Sequence, residues 1–212
     1  MVETPQGGLT SPPGVPISES IETLLLPVLP LKDLSLFPGG SLTVVTSHTG
    51  TLSAVQIGSR AGKKVLVATH KEGGLRDLHS VGTVATIVED LDMRGGNRRI
   101  EVDGTTRGRL VNLVGADVLV AEVEPLDEGD PGDEWGPAVE ALARYLHAHA
   151  ELRSFLDEQR RSGDPMSWVN LACQHLPIAA SARQRLLESN AQERCQRISR
   201  GLDALLRKES QG

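Results

Sequence analysis

The spacing of apolar residues changes once along this chain, and that change limits the fold more than any other feature. Up to residue 126, apolar side chains come in short runs and two-residue alternations separated by glycine and aspartate turns. Beyond residue 133 they recur at helical spacing. Between the two regimes lies Asp127-Glu128-Gly129-Asp130-Pro131-Gly132-Asp133, an acidic linker broken by glycine and proline. The order of strands followed by helices predicts an α+β protein: a small closed or partly closed antiparallel sheet, then a helical bundle. The expected organisation is a disordered tail at 1–22, a β-rich subdomain at 23–126, the linker at 127–133 and a helical subdomain at 134–212. The tail follows from its threonine, proline, glycine and serine content, which cannot bury enough apolar surface to offset ordering.

In the β-rich part, strands are expected at Leu42–Val45, Lys64–Ala68, Val81–Leu91, Arg99–Val102, Arg109–Leu113 and Val118–Val123. Alternation puts Val84, Thr86 and Val88 on one strand face. A helix over roughly Gly50–Ser59 carries Leu52, Val55 and Gln56 and stops at Gly62. Arg94-Gly95-Gly96-Asn97 is a hairpin turn, and Gly115-Ala116-Asp117 another. In the helical part, Trp135, Val139, Leu142 and Leu146 form one stripe, and Leu152, Phe155 and Leu156 continue it after a slip near His149. Asp164-Pro165 caps and opens a helix with Met166, Val169, Leu171 and Leu176 that ends before Pro177. A helix follows over Ala180–Glu188. The last, Ala191–Lys208, sets Cys195, Ile198, Leu202 and Leu205 at alternating spacings of three and four, a coiled-coil-like seam.

Composition narrows the function. The net charge of −6 speaks against nucleic acid or an anionic membrane as the main partner. Trp135, Trp168, Tyr145, Phe37 and Phe155 are all the aromatics, and four of them sit at core-patterned positions, so few rings remain for stacking on bases or sugars. Cys173 and Cys195 have no CxxC neighbour and read as buried hydrophobes in a reducing compartment. With no secretory signal and no long apolar run, the expected location is cytoplasmic.

Each candidate for chemistry has a plainer account. Gly58-Ser59-Arg60-Ala61-Gly62-Lys63-Lys64 imitates a phosphate-binding loop, but Ile57 replaces the first glycine and Lys64 the hydroxyl residue, and the segment follows a helix. His48, His70 and His79 have no ligand-spaced partner. His147 and His149, like Cys173 and His175, stand two apart on a helix and face different sides, which is wrong for a shared metal. Glu89-Asp90 and Asp130/Asp133 sit at a strand end and in the linker, where carboxylates are solvated. Arg98, Arg99, Arg107 and Arg109 could form a basic patch on neighbouring strands, with ion pairing the plainer alternative. The apolar sheet face next to the linker is a second candidate surface. No catalytic, cofactor-binding or metal-binding residue is assigned, and no cofactor is expected.

The most specific segment is Leu26-Pro27-Val28-Leu29-Pro30-Leu31-Lys32-Asp33-Leu34-Ser35-Leu36-Phe37-Pro38-Gly39, an extended apolar strand ended by a Pro-Gly turn. It resembles the opening of the N-terminal, substrate-binding domain of the Lon ATP-dependent proteases, with its Leu-Pro-Leu-Arg-Asp stretch followed by Phe-Pro-Gly. The likeness continues through Lys64–Ala68, Val81-Gly82-Thr83-Val84-Ala85, Val102-Asp103-Gly104 with Arg107, Gln184-Arg185-Leu186-Leu187-Glu188 and Glu193-Arg194, and so covers about 24–208. It departs at Thr46–Ser53, where the family has a charged stretch, in the short Lys71–Ser80 segment, and in lacking the Phe-Glu-x-Arg-Tyr run of stand-alone relatives.

The resemblance implies a PUA-like pseudo-barrel beside a helical bundle, and a domain that binds unfolded or degron-bearing polypeptides and supports oligomer assembly for ATP-dependent proteolysis. ATPase and protease residues have no counterpart in the sequence, so the chain is expected to be non-catalytic: an excised protease domain or a free-standing relative. Expected partners are such polypeptides, further copies of itself or AAA+ protease modules, with no membrane. A PUA-like RNA-binding module is the alternative; an autonomous peptidase is a third reading, for which no nucleophile and base can be assembled.

Overall fold

The computed structural model describes residues 23–71, 74, 76–159 and 165–209. The expected tail at 1–22 and the cap at Asp164 lie outside these residues. The strands are β1 (Leu24–Leu31), β2 (Ser41–Thr46), β3 (Lys64–Thr69), β4 (Val81–Asp92), β5 (Arg98–Val114) and β6 (Val120–Leu126). The helices are α1 (Thr49–Arg60), α2 (Trp135–Ala148), α3 (Ala150–Gln159), α4 (Pro165–His175), α5 (Ala180–Glu188) and α6 (Ala191–Glu209).

The sheet runs β2-β5-β4-β3-β1-β6, and β6 also pairs with β5, which closes it into a barrel. All pairings are antiparallel except β1 with β3. That pair is parallel because β2 and α1 intervene, and the chain must cross back before laying down β3. The crossover explains why β1 and β3 read as unbroken apolar runs. Leu26, Val28, Leu66 and Ala68 face one apolar cluster with Val84, Ala121 and Val123. Leu29, Leu31, Val65 and Val67 face a second, with Val55 of α1 and Ile100 and Val102 of β5. Strands covered on both faces have no polar side to show in the sequence.

Two sequence expectations are corrected in β4 and β5. The expected strands Arg99–Val102 and Arg109–Leu113 are one continuous strand of 17 residues, Arg98–Val114. The register shifts between Val84 and Ala85, where Thr105 is the extra residue on β5, so the strand bends without breaking. Gly104 lies at the bend, where a Cβ would collide with the Phe37 carbonyl oxygen. A second shift lies between Ile87 and Glu89. Val88 is the extra residue there and departs from the face of Val84 and Thr86: Val84 is buried, Thr86 half-buried and Val88 exposed. The hairpin at Arg94–Gly96 does form, with Gly95 and Gly96 at φ 78° and 76°.

The helices pack on Phe37 and Val81 of the sheet through one apolar cluster that includes Tyr145, Leu156, Val169, Leu187, Cys195, Ile198 and Leu202. The slip expected near His149 is a break between α2 and α3, where His149 leaves the helical region at φ −126° and ψ 69°. Phe37 is fully buried among side chains of the bundle although it belongs to the β half. Phe37→Ala is expected to cost about 3–5 kcal/mol. Urea unfolding followed by both tryptophan fluorescence and circular dichroism would measure it. The two signals should keep a common midpoint.

Candidate functional site

The Pro-Gly turn that ends the most specific sequence segment is a socket for the helices. Gly39 takes φ 81°, a conformation that favours glycine. Its N–H donates to the Gly104 carbonyl at 2.9 Å, and the Gly104 N–H donates to the Gly40 carbonyl at 2.8 Å. Further polar groups of the turn go to side chains of α4, and α5 bonds the neighbouring strand β4. Phe37 N–H donates to Gln174 Oε1 at 3.0 Å, and Gln174 Nε2 donates to the Ser41 carbonyl at 3.0 Å. Asn170 Nδ2 donates to the Pro38 carbonyl at 3.2 Å, and Gln184 Nε2 to the Val81 carbonyl at 2.9 Å. Buried main-chain groups that no strand can satisfy are thus paired by three amide side chains.

Beneath this socket lie two arginines on one carboxylate. Arg194 of α6 is 0 % exposed, and its guanidinium sits 5.6 Å from the Phe37 ring centre. It donates to Glu128 Oε2 at 2.8 Å, to Asn170 Oδ1, and to the Leu186 and Ser189 carbonyls at 2.9 and 2.8 Å. Arg107 of β5, 3 % exposed, donates to Glu128 Oε1 at 2.9 Å and to the Asp127 and Ser189 carbonyls at 2.7 and 2.8 Å. Burial lowers the Arg107 pKa; Glu128 opposes that shift and Arg194 adds to it. Glu128, in the acidic segment read as a linker, thereby ties sheet to bundle. Arg107 takes part in the junction and not in an open basic patch. Removing Glu128 would leave two desolvated cations unpaired, so Glu128→Ala is expected to destabilise by about 3–5 kcal/mol. Glu128→Gln should cost less, and denaturant titration of both variants checks the order.

The other sequence candidates fall elsewhere. Arg98 pairs with Asp90 at 2.8 Å, Arg99 with Glu89 at 2.7 Å and Arg109 with Glu124 at 3.5 Å, so the ion-pairing alternative describes them. The apolar sheet surface next to the acidic segment, Val81 and Leu126, is covered by the helices. The phosphate-loop imitation is the C-terminus of α1, with Gly62 at φ 77° just beyond the cap. His149 Nδ1–H donates to the Tyr145 carbonyl at 2.8 Å, and the imidazole stacks on the Tyr145 ring. His79 lies 3.3 Å from Glu188, and His48 caps α1. Among the described residues no group of three or more histidine, cysteine, aspartate or glutamate side chains could hold a metal ion. Cys173 and Cys195 are buried, and burial raises their pKa values to about 12 and about 11. Neither thiol should react with a disulfide reagent at neutral pH until the chain unfolds. The stability lent by keeping both protonated is complete below the unfolded-state value near 9 and is lost as pH rises through the folded values. Thermal melts above pH 9 with a Cys173→Ala control would show the loss.

Aliphatic side chains stand outward on the barrel instead. Val45, Arg99 and Leu91 lie in one register row across β2, β5 and β4, with Val45 and Leu91 57 % and 47 % exposed. On the other side of the barrel, Leu25 is 74 % exposed beside Glu122, and Val114 stands out two rows along. Sequence alternation could not place Leu91 beside Arg99, because the register shifts between β4 and β5 that set this row are invisible in it.

A sequence model of the ATP-dependent protease La (LON) substrate-binding domain matches residues 25–204. The chain belongs to this family. Similar proteins include Lon protease 1 of Thermus thermophilus, 28 % identical over 198 residues, which cover 87 % of this chain and 25 % of that protein. Lon protease 2 of Desulfotalea psychrophila is 25 % identical over 178 residues, 78 % of this chain and 23 % of that protein. This LON domain thus spans about a quarter of the length of the proteases it matches. Its fold is that of the N-terminal domain of a Mycobacterium avium complex Lon protease, with a TM-score of 0.69 at 21 % identity over 85 % of this chain and 98 % of that one. A Lon N-terminal domain protein from Xanthomonas campestris gives 0.61 at 21 % identity, over 82 % and 96 %. Among the residues that carried the sequence resemblance, Phe37-Pro38-Gly39, Gly104, Arg107, Gln184 and Arg194 belong to the junction.

Proposed function

We propose that this LON domain is a non-catalytic recognition unit that binds unfolded or degron-bearing polypeptides and delivers them to an ATP-dependent protease, on the same polypeptide or as a partner. The observation that carries the reading is the set of aliphatic side chains, Leu25, Val45 and Leu91, held outward on a rigid barrel whose core does not use them. Exposed apolar side chains of this kind suit the apolar segments that unfolded chains display. Each contact is weak, and several copies around one pore would make it effective through avidity; assembly with further copies or AAA+ modules belongs to the same proposal. A cytoplasmic location agrees with the unpaired thiols and with the lack, among the described residues, of a helix long and apolar enough to cross a membrane. The alternative RNA-binding reading has less support, since Arg98, Arg99, Arg107 and Arg109 each have a carboxylate partner.

The test is a titration of the chain with a reduced, carboxymethylated protein and with the same protein in its native form. The denatured form should bind at least about tenfold more tightly, a difference of about 1.4 kcal/mol. Leu25→Ser, Val45→Ser and Leu91→Ser together should abolish that preference, with a stability change of the size usual for surface substitutions, within about 0.5 kcal/mol each. Equal binding of native and denatured protein would sink the reading.

A further inference from the structure

A groove between α5 and α6 lies away from the barrel's outward aliphatic side chains. It has a volume of about 290 Å³, close to the lower end of ligand pockets at about 300 Å³. Leu176, Leu186, Ile198 and Leu202 form its apolar wall. Two charges stand at its rim, Arg185 on α5 and Arg197 on α6, both exposed. Neither guanidinium has an ion-pair partner among the described residues, although acidic residues outnumber basic ones in this chain by 28 to 22. Arg144, Arg99 and Arg194 are paired, with Asp203, Glu89 and Glu128 respectively.

The floor is opened by Gly201, in the interior of α6. A Cβ at this position would meet nothing within 4 Å. Glycine is the weakest helix former after proline, and no close approach of backbone demands it here. Its effect is to leave unfilled the space that a side chain of α6 would occupy.

We propose that this groove is a second polypeptide-binding site, and that it takes a short helical segment presenting large aliphatic side chains flanked by carboxylates. The aliphatic side chains enter over Gly201 against Ile198 and Leu202, and the carboxylates meet Arg185 and Arg197 on opposite walls. This is the helix-in-groove mode of recognition, with charge setting the choice of segment. The proposal rests on the polypeptide-recognition reading and adds to it a site with a charge preference.

The experiment measures fluorescence anisotropy of a labelled peptide of leucine and glutamate at helical spacing, titrated with the full chain, and of its leucine–lysine analogue. The glutamate peptide should bind at least about tenfold more tightly than the lysine analogue, the mark of charge-selected binding. Gly201→Leu should raise the melting temperature and abolish peptide binding. Arg185→Glu with Arg197→Glu should invert the preference, a readout that holds even if Gly201→Leu alters the helix. Equal binding of the two peptides, or binding unchanged in Gly201→Leu, overturns the proposal. So does self-association of the chain that Gly201→Leu removes, which would make the occupant a second copy. If denatured protein binds the parent chain while the glutamate peptide does not, the groove fails and the general reading stands. If the peptide binds and denatured protein does not, the general reading fails alone.

Discussion

A buried guanidinium, that of Arg194, is the point through which the two halves of this molecule are joined. It has no access to solvent, so each donor must find an acceptor within the protein. It finds them in Glu128, in Asn170 and in carbonyls of the last turn of α5 and of Ser189 just beyond it. Those acceptors come from three separate stretches of chain, and Glu128 brings a fourth through Arg107 of the barrel. The Phe37 ring closes the remaining side. A buried ion pair of this kind adds little stability compared with a well-packed apolar substitute, but it tolerates no loss of a partner. Its effect here is to fix which surface of the barrel meets which surface of the bundle.

That fixed relation decides what remains outside. The helices cover Val81 and Leu126, while the register shifts in β4 and β5 turn Val88 and Leu91 toward solvent. The bend of β5 at Gly104 does two things at once: it lets one strand serve β2, β4 and β6, and it makes room for the Phe37 turn. The outward aliphatic row and the structural junction therefore share a single strand, with Arg99 on the outward face and Arg107 in the core.

Much of this was legible in the sequence, and the reasons are particular. The boundaries of α1 followed from Gly62, the α2–α3 break from a change of phase at His149, and the α6 face from Cys195, Ile198 and Leu202. The Leu26–Gly39 segment carries the family resemblance in its residues alone. The continuity of β5 was hidden, because glycine and threonine within it read as a break. The junction was hidden as well. Glu128 sits in a run whose composition suggests solvent, and nothing local to Arg107 or Arg194 tells that they will share it. Long-range ion pairs leave no periodic trace, whereas helix faces and buried strands do. The row of Val45, Arg99 and Leu91 belongs to the same class, since it depends on bulges that shift the β4–β5 register.

The order in which the junction's parts are synthesised has a consequence of its own. Phe37 and Arg107 emerge with the barrel, but Asn170, Ser189 and Arg194 come much later along the chain. During translation at about 5–20 residues per second, the Phe37 turn is without its cover for several seconds. Throughout that interval the nascent barrel displays an aromatic ring and unmet main-chain groups, the same kind of surface that unfolded proteins display. Under the proposed function, the domain spends its own birth as an example of what it would bind, and α6, the last of the described elements, ends that exposure.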